Sequence, residues 1–525
     1  MNEIFTIWDL LEINCFLNKE KTALIENGEK ISYLELKSES EKIAAWLEFK
    51  GFQRGDRIGI HLVKSKYEVA AMFAVIRIGG VFVNIHPGSA TSQVEHIAND
   101  CALVALISDS VRLDRIGENI SNITSLVEVI QVDNKKTNFN RTLISEINMK
   151  RPKKMYSVID KDLAALMYTS GSTGQPKGVM LTHQNIIAGA RSVSSYLRNQ
   201  KNDIVLSILP FSFDYGLNQL TTMFMVGGTL VLLSSTMPSE IINNVLKEKV
   251  TGIALVPTIV NDMVEYLKVS KLSLPSLRYI TNSGGRILDS VLKNMKKYFA
   301  KVDIVLMYGL TESFRSTWLP PHLFQDKLGA IGIEIPNAEV FVVDSKKGLC
   351  GPGVPGELLH RGVHVAAGYW NNTKATKEKF KKNKHLKKLI GDEIVVHSGD
   401  IVKRDDDGIL WYVGRTDNLI KVSGFRVSPE EVEKRLLKSG FFLEVYVFGI
   451  NDDRLGQKLA IISRLDKKIN YVEKDFLRWC KNNMPSHQIP SKIFYFDDRF
   501  YRNLNNKVDG VKMKKIALSK YKEMS

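Results

Sequence analysis

The residues from Thr169 to Gly178 read Thr-Ser-Gly-Ser-Thr-Gly-Gln-Pro-Lys-Gly. The hydroxyls of Thr169, Ser170, Ser172 and Thr173 can donate hydrogen bonds, and Lys177 adds a positive charge. Gly171, Gly174 and Gly178 let the backbone turn its N–H groups toward one point. Such a set suits a polyphosphate. It is not the common P-loop, in which four residues separate the glycines and Lys-Ser/Thr opens a helix. Here Lys177 is followed by Gly178 and the apolar run Val179 to Leu181. A solvated hairpin would use the same residue types, but so many donors beside a lysine favour a phosphate cradle.

This stretch closely resembles the phosphate-binding loop of the adenylate-forming superfamily: acyl-CoA synthetases, aminoacyl-adenylating domains of peptide synthetases, and firefly luciferase. The resemblance covers nearly the whole chain. It implies that Thr169, Ser170, Gly171, Ser172, Thr173, Gly174 and Lys177 hold the phosphates of ATP. The turn from Thr281 to Arg286, with Gly285 and Arg286, would line the adenine pocket. Tyr308-Gly309-Leu310-Thr311-Glu312 is similar to the family's YGxTE signature. There the Tyr308 ring and Gly309 would lie by the nucleotide, Thr311 would meet phosphate, and Glu312 would help hold Mg²⁺. Mg²⁺ prefers oxygen ligands and usually takes one or two carboxylates plus substrate phosphates, so a single Glu suffices.

By the same resemblance, Asp400 would accept hydrogen bonds from both ribose hydroxyls, for which a carboxylate has the acceptors. Gly414 to Lys421 matches the family's hinge segment, with Arg415 on the nucleotide and Asp417 at the hinge. Asn505-Asn506-Lys507 resembles the NGK motif that carries the catalytic lysine. Asn506 replaces the usual Gly, and the prolines common upstream are absent from Arg499 to Leu504. Asn is the next-best residue for a positive φ, so the loop geometry can survive. Asp214 stands where aminoacyl-adenylating relatives bind the substrate's amino group, and with Tyr215 and Arg315 it forms the expected acid-binding set. Asp214 could instead serve as an N-cap, since carboxylates are stabilised at helix starts. An Asp214–Arg315 pair, or Arg315 turned to solvent, are further structural alternatives.

Positioning these residues requires strands that end in turns. Ile58 to Leu62 and Val81 to Ile85 read as short buried strands around a helix from Tyr67 to Arg77, the pattern of a parallel sheet. Leu163 to Tyr168 and Val179 to Leu181 bracket the phosphate loop as strands. A helix from Gln184 to Leu197 follows, then strands at Ile204 to Leu209, Thr229 to Leu233, Ile253 to Val256 and Ile304 to Met307 in a second α/β unit. Gly356 to Leu358 and Ala367 to Asn371 read as part of a β-rich third section. Beyond the hinge come a helix (Pro429 to Leu437), a strand (Leu443 to Phe448), a helix (Val472 to Asn482) and a basic tail. The expected fold class is α/β: a large N-terminal domain of two α/β sheet subdomains plus a β-rich part, and a small mobile C-terminal α+β domain. The boundary expected is 1–416 for the adenylation core and 417–525 for the domain carrying Lys507.

The chain has 525 residues, 44% hydrophobic and 25% charged, as expected of a globular enzyme with a large core. A net charge of +16 is concentrated locally, with eight lysines against one acid between Lys374 and Lys388. No helix-turn-helix, zinc or RRM pattern accompanies the basic stretches, so nucleic acid is not an expected partner. A solvated surface or an anionic partner, such as an acidic carrier protein or the phosphates of CoA, accounts for them. Cys15, Cys101, Cys350 and Cys480 lie too far apart for a CxxC or metal pattern. The N-terminus lacks the pattern of a signal peptide and no run suits a membrane span, so the expected location is the cytoplasm. Expected cofactors are ATP, Mg²⁺ and a phosphopantetheine thiol, on CoA or on a separate acyl carrier protein. The expected substrate is a small carboxylic or amino acid. A kinase is disfavoured by the missing Walker pattern, whereas a luciferase-like oxygenase shares the adenylation step.

Overall fold

The computed structural model describes residues 3–137, 140–154, 156–170, 176–285, 287, 289–415, 420–422, 425–452, 456–466, 469, 471–484, 488–503 and 508–524. Its first sheet grows from short, wholly buried apolar strands such as Ala105–Ser108 and Val81–Asn84, the signature of strands covered on both faces. The seven strands lie in the order Thr142–Leu143, Glu128–Gln131, Ala105–Ser108, Arg57–His61, Val81–Asn84, Leu163–Ser170 and Pro176–Thr182. All run parallel except the last, which pairs antiparallel with Leu163–Ser170. The crossover helix Lys66–Arg77 starts where the Ser65 hydroxyl accepts from the Glu68 N–H and ends at Gly79, at φ +73°.

The second sheet has nine strands. Its central run, in spatial order, is Thr317–Trp318, Asp303–Tyr308, Tyr279–Asn282, Gly252–Leu255, Ile204–Ser207 and Thr229–Leu232. The five strands from Asp303–Tyr308 to Thr229–Leu232 are parallel. Beyond Thr229–Leu232 lies Thr22–Glu26, parallel to it with Leu24 opposite Leu230. That pairing joins segments about as far apart as a whole domain, and no local periodicity announces it. Ala367 to Trp370, expected in a β-rich third section, runs instead along the strand bearing Lys177. Met180 N–H donates to Gly368 C=O at 2.9 Å and Trp370 N–H to Gly178 C=O at 2.8 Å, satisfying what would be an open edge.

By packing, the chain divides into two units: Met1–Val340 with His360–His397, and Phe341–Leu359 with Ser398–Ser525. The 416/417 boundary rests on the hinge motif, and Asp417 lies outside the described residues. In the second unit Asp400 to Arg404, the end of the strand Val395–Arg404, pairs with Leu410–Arg415 in a hairpin turned at Gly408, at φ +82°. A further sheet pairs Phe442–Asp452 with Gly456–Leu465, and Lys492–Tyr495 runs parallel to the latter. Helices Pro429–Lys438 and Glu473–Asn483 bury Val432, Leu436, Phe476 and Cys480 into this unit's core. The basic tail is not irregular. It forms a helix, Gly510–Met524, because Met513 and Ala517, one turn apart, bury against Phe448 and Ala460 while Lys512 and Lys515 stay exposed. No helix among the described residues is long and apolar enough to cross a membrane.

Candidate active site

Parallel sheets bind ligands beyond the carboxyl ends of their strands. In the second sheet, Asp303–Tyr308 leads into Gly309 to Glu312, and its neighbour Tyr279–Asn282 leads into Ser283 to Gly285. Ile204–Ser207, two strands along, leads to the helix Asp214–Val226. Adjacent strands thereby bring residues distant in sequence to one edge. Thr311 Oγ1 lies 3.4 Å from Asp214 Oδ1 and donates toward it. Arg315 Nη1 donates to Ser283 Oγ at 2.8 Å. The Tyr215 hydroxyl shares a 2.6 Å hydrogen bond with Thr281 Oγ1, and the Arg315 guanidinium stacks 4.8 Å from the Tyr215 ring centroid. Asp214, Tyr215, Thr311 and Arg315, expected from separate motifs, therefore form one cluster.

A strained residue aims Arg315. Phe314 has φ +60° and ψ −71°, a conformation that costs a bulky residue about 1–3 kcal/mol and persists only where its surroundings enforce it. The enforcement is visible. A Cβ on Gly309 would sit 2.8 Å from Arg315 Cα and 2.9 Å from Phe314 O, so the turn can close only over a glycine. The Phe314 ring, 2% exposed, presses on the helix His183–Tyr196 where Gly189 leaves room; a Cβ there would be 2.3 Å from the ring. Gly189→Ala is expected to expel the ring, lowering stability by about 1–3 kcal/mol. It should also cut adenylation about a hundredfold through displacement of Arg315. Thermal unfolding and pyrophosphate exchange on the same preparation check this.

Asp214 is buried at 6% exposure. It is the first residue of its helix, after Phe213 at the N-cap, and no side chain caps that end, so the N-cap alternative is set aside. Burial raises its carboxyl pKa, while Arg315 opposes the shift. In the window between the ordinary carboxylate value and the raised one, the folded protein keeps a proton that the unfolded chain has released. Stability from this group therefore falls as pH rises through that window. Arg315 is 1% exposed, which removes the solvent-facing alternative. Among the described residues no ion pair joins it to Asp214, and its Nε and Nη2 have no hydrogen-bond partner. Two adjacent guanidinium donors with nothing to donate to form the edge that binds a carboxylate bidentately.

Lys177 and Glu312 meet through Tyr369, a residue that the sequence places only in a β-rich third section. The Tyr369 hydroxyl donates to Glu312 Oε1 at 2.5 Å, and Lys177 Nζ lies 5.8 Å from the Tyr369 ring centroid. Thr169 stands opposite Lys177 in the hairpin and Ser170 opposite Pro176. Gly171, Ser172, Thr173, Gly174, Arg286 and Lys507 lie outside the described residues. The described residues hold no group of three or more His, Cys, Asp or Glu side chains able to cage a metal. One carboxylate beside a phosphate loop fits Mg²⁺, which takes its remaining ligands from phosphate and water. Gly285, whose Cβ would meet Pro257 Cγ at 3.4 Å, and Gly284, at φ +86°, leave the turn after Tyr279–Asn282 open to a flat ligand. Tyr308 ends the adjacent strand.

In the second unit Asp400 and Arg415 are partners across the hairpin, with Arg415 Nη1 3.5 Å from Asp400 Oδ1. Asp400 is 5% exposed.

The chain belongs to the AMP-binding enzyme family, whose model matches residues 11–370. It is thus a member of the adenylate-forming superfamily that its motifs resemble. It is 26% identical to a long-chain-fatty-acid–CoA ligase of Escherichia coli O157:H7, over 93% of this chain and 91% of that protein. It is 27% identical to surfactin synthase subunit 2 of Bacillus subtilis (strain 168), over 93% of this chain and 13% of that protein. Among solved structures, an anthranilate CoA ligase in complex with anthranoyl-AMP aligns with TM-score 0.86 at 22% identity, covering 98% of both chains. The o-succinylbenzoate CoA synthetase of Bacillus subtilis, in complex with ATP and magnesium, aligns with TM-score 0.82 at 25% identity, covering 96% of this chain and 99% of that one. The mixed α/β architecture is the fold of these structures.

Proposed function

We propose that this enzyme activates a small polar carboxylic acid with ATP and passes the acyl group to a phosphopantetheine thiol, on CoA or on a separate acyl carrier protein. It is an acid–thiol ligase. A carboxylate oxygen attacks the α-phosphorus, the bond to the bridging oxygen breaks, and pyrophosphate leaves. The thiol then attacks the acyl carbon, AMP leaves, and the thiol proton passes to solvent. The attacking carboxylate is already ionised at neutral pH, so the first step needs no general base. Catalysis comes from holding anions together and neutralising charge as it builds. Thr169, Ser170, Gly171, Ser172, Thr173, Gly174 and Lys177 take the phosphates, and Thr311 and Lys507 take the reacting oxygens. Glu312 would hold Mg²⁺, which neutralises phosphate charge when bound. Asp400 and Arg415 take the ribose, and Gly285, Arg286, Tyr308 and Gly309 flank the base.

The observation that carries the reading is the cluster of Asp214, Thr311 and Arg315 at the carboxyl edge of the sheet, one residue from Glu312. Two buried charges suit a polar acid and disfavour a long alkyl chain, which would leave both unsolvated. A second reading, an amino acid loaded onto a separate carrier protein, is supported by the buried Asp214 carboxyl in the same cluster, which as a carboxylate would pair with the substrate's ammonium. Pyrophosphate exchange over carboxylic and amino acids, followed by thioester detection with CoA and with a carrier, tests both. No exchange with any acid overturns adenylation.

Thiolysis is proposed to need rotation of the C-terminal domain about Asp417, a hinge motion. Asp417→Pro fixes φ there. Adenylation is expected to persist while thioester formation falls by an order of magnitude or more. Equal retention of both half-reactions would remove Asp417 from the hinge.

A further inference from the structure

The helix Asp214–Val226 carries more than Asp214. Residues 214, 218 and 222 lie on one stripe, since side chains four apart on a helix stack above each other. Asn218 and Thr222, with the neighbouring Gln219, line a small cavity whose other walls are apolar side chains such as Val205, Ala254 and Met307 and the hydroxyl-bearing Tyr215, Tyr279 and Thr281, whose hydroxyls are already hydrogen-bonded. All three polar residues are more than nine-tenths buried: Asn218 is 3%, Gln219 7% and Thr222 3% exposed. Each holds an atom with no hydrogen-bond partner among the described residues, namely Asn218 Nδ2, Gln219 Oε1 and Thr222 Oγ1. Gln219 Nε2 is engaged, donating to Tyr215 C=O at 3.1 Å, which leaves the amide oxygen as its unused group.

Buried polar atoms are paired in nearly all folded proteins, and each exception asks for a partner. Three on one wall, offering both donors and acceptors, describe a ligand's polar end. The cavity has room for about one ordered water, so what enters is a tip rather than a chain. No charged side chain lines it. A carboxylate or ammonium tip would therefore arrive without a counter-charge, whereas a hydroxyl or carboxamide would pair fully. Asn218 is four residues and Thr222 eight residues beyond Asp214, about 6 Å and 12 Å along the axis.

We infer that the activated acid ends in a neutral hydrogen-bonding group, a hydroxyl or carboxamide. Its tip displaces water from the Asn218–Gln219–Thr222 wall while its carboxyl end stays at the Asp214–Thr311–Arg315 cluster. The inference rests on the adenylation reading and names its substrate class. It separates this chain from an enzyme for fatty acids, whose methyl terminus would leave all three groups unpaired.

The test is pyrophosphate exchange by the full-length enzyme on length-matched pairs. Suitable pairs are heptanoate against 6-hydroxyhexanoate and against the monoamide of adipic acid, methionine against glutamine, and 4-methylphenylalanine against tyrosine. The polar-ended member of at least one pair is expected to exceed its partner about tenfold or more in kcat/KM. Asn218→Leu and Thr222→Val, near-isosteric, should bring that ratio toward one. Both should also raise the Tm of the unliganded protein, because an unpartnered buried group is gone. Equal or better use of the apolar-ended acids overturns the inference and leaves adenylation standing. So does an unchanged ratio in both variants, or a fall in Tm with the ratio kept, which would make the wall structural. Absence of exchange with every acid overturns both.

Discussion

Lys507→Ala is expected to lower adenylate formation about 10²–10³-fold, the loss seen when one donor to a developing oxyanion is removed. Reaction of a chemically supplied acyl-adenylate with thiol should continue at the unmutated rate. The two half-reactions differ in where charge builds. In the first, three anionic groups converge as the carboxylate approaches the triphosphate, and a cation at the attacking oxygens offsets their repulsion. In the second, a thiol meets an adenylate whose pyrophosphate has gone. Lys507 lies outside the described residues, so its place rests on the NGK-like motif and on the described chain on either side. Arg502 and Val508 bridge antiparallel across that motif, and the Asp509 carboxylate accepts from the Lys512 N–H at 3.0 Å to open the final helix. The described residues on either side of the motif are therefore paired with each other, and the chain beyond them is capped into a helix. Single-turnover measurement of each half-reaction distinguishes the outcomes. Equal loss of both would make Lys507 structural, or assign its role elsewhere because of Asn506.

Much of the positioning was legible from local chemistry. Leu163–Ser170 and Pro176–Thr182 pair as the apolar runs around the phosphate loop imply. The alternation of strand and helix gives two mostly parallel sheets, as it should. What local chemistry could not supply is contact between distant segments. Nothing near Thr22 names Thr229–Leu232 as its neighbour, and nothing near Tyr369 names Glu312. Arg315 was legible as an acid-binding residue only through its distance from Glu312 in sequence, while its partner Ser283 and its strained neighbour Phe314 were not. The final helix is a different case. Met513 and Ala517 stand one turn apart in the sequence, but the lysines around them give the segment the look of a basic tail.

Arg315 also separates stability from function. Its guanidinium is 1% exposed, is hydrogen-bonded at Nη1 to Ser283, and lies over the Tyr215 and Phe314 rings at 4.8 and 5.9 Å. Its Nε and Nη2 have no partner among the described residues. In the unliganded protein that is a buried charge only partly compensated, by the nearby Asp214 carboxyl whose pKa burial has raised. Replacing a whole buried ion pair by apolar groups of similar volume is commonly neutral or stabilising by about 1–4 kcal/mol, and the heavy cost of removing one member arises from stranding its partner. Among the described residues Arg315 has no ion-pair partner to strand. Arg315→Met is accordingly expected to leave the Tm unchanged or raise it. Asp214, losing its only named cationic neighbour, should hold its proton to higher pH still. Acid activation should move the opposite way, with kcat/KM for the best acid falling about 10²–10³-fold, since truncating one partner of a buried charged contact costs about 2–5 kcal/mol. Arg315→Lys should recover little, because an ammonium cannot present two parallel donors to a carboxylate. The measurement is thermal unfolding without acid, set beside pyrophosphate exchange with it. A large fall in Tm together with activity would place Arg315 in the scaffold. Unchanged kcat/KM would take the acid away from it altogether.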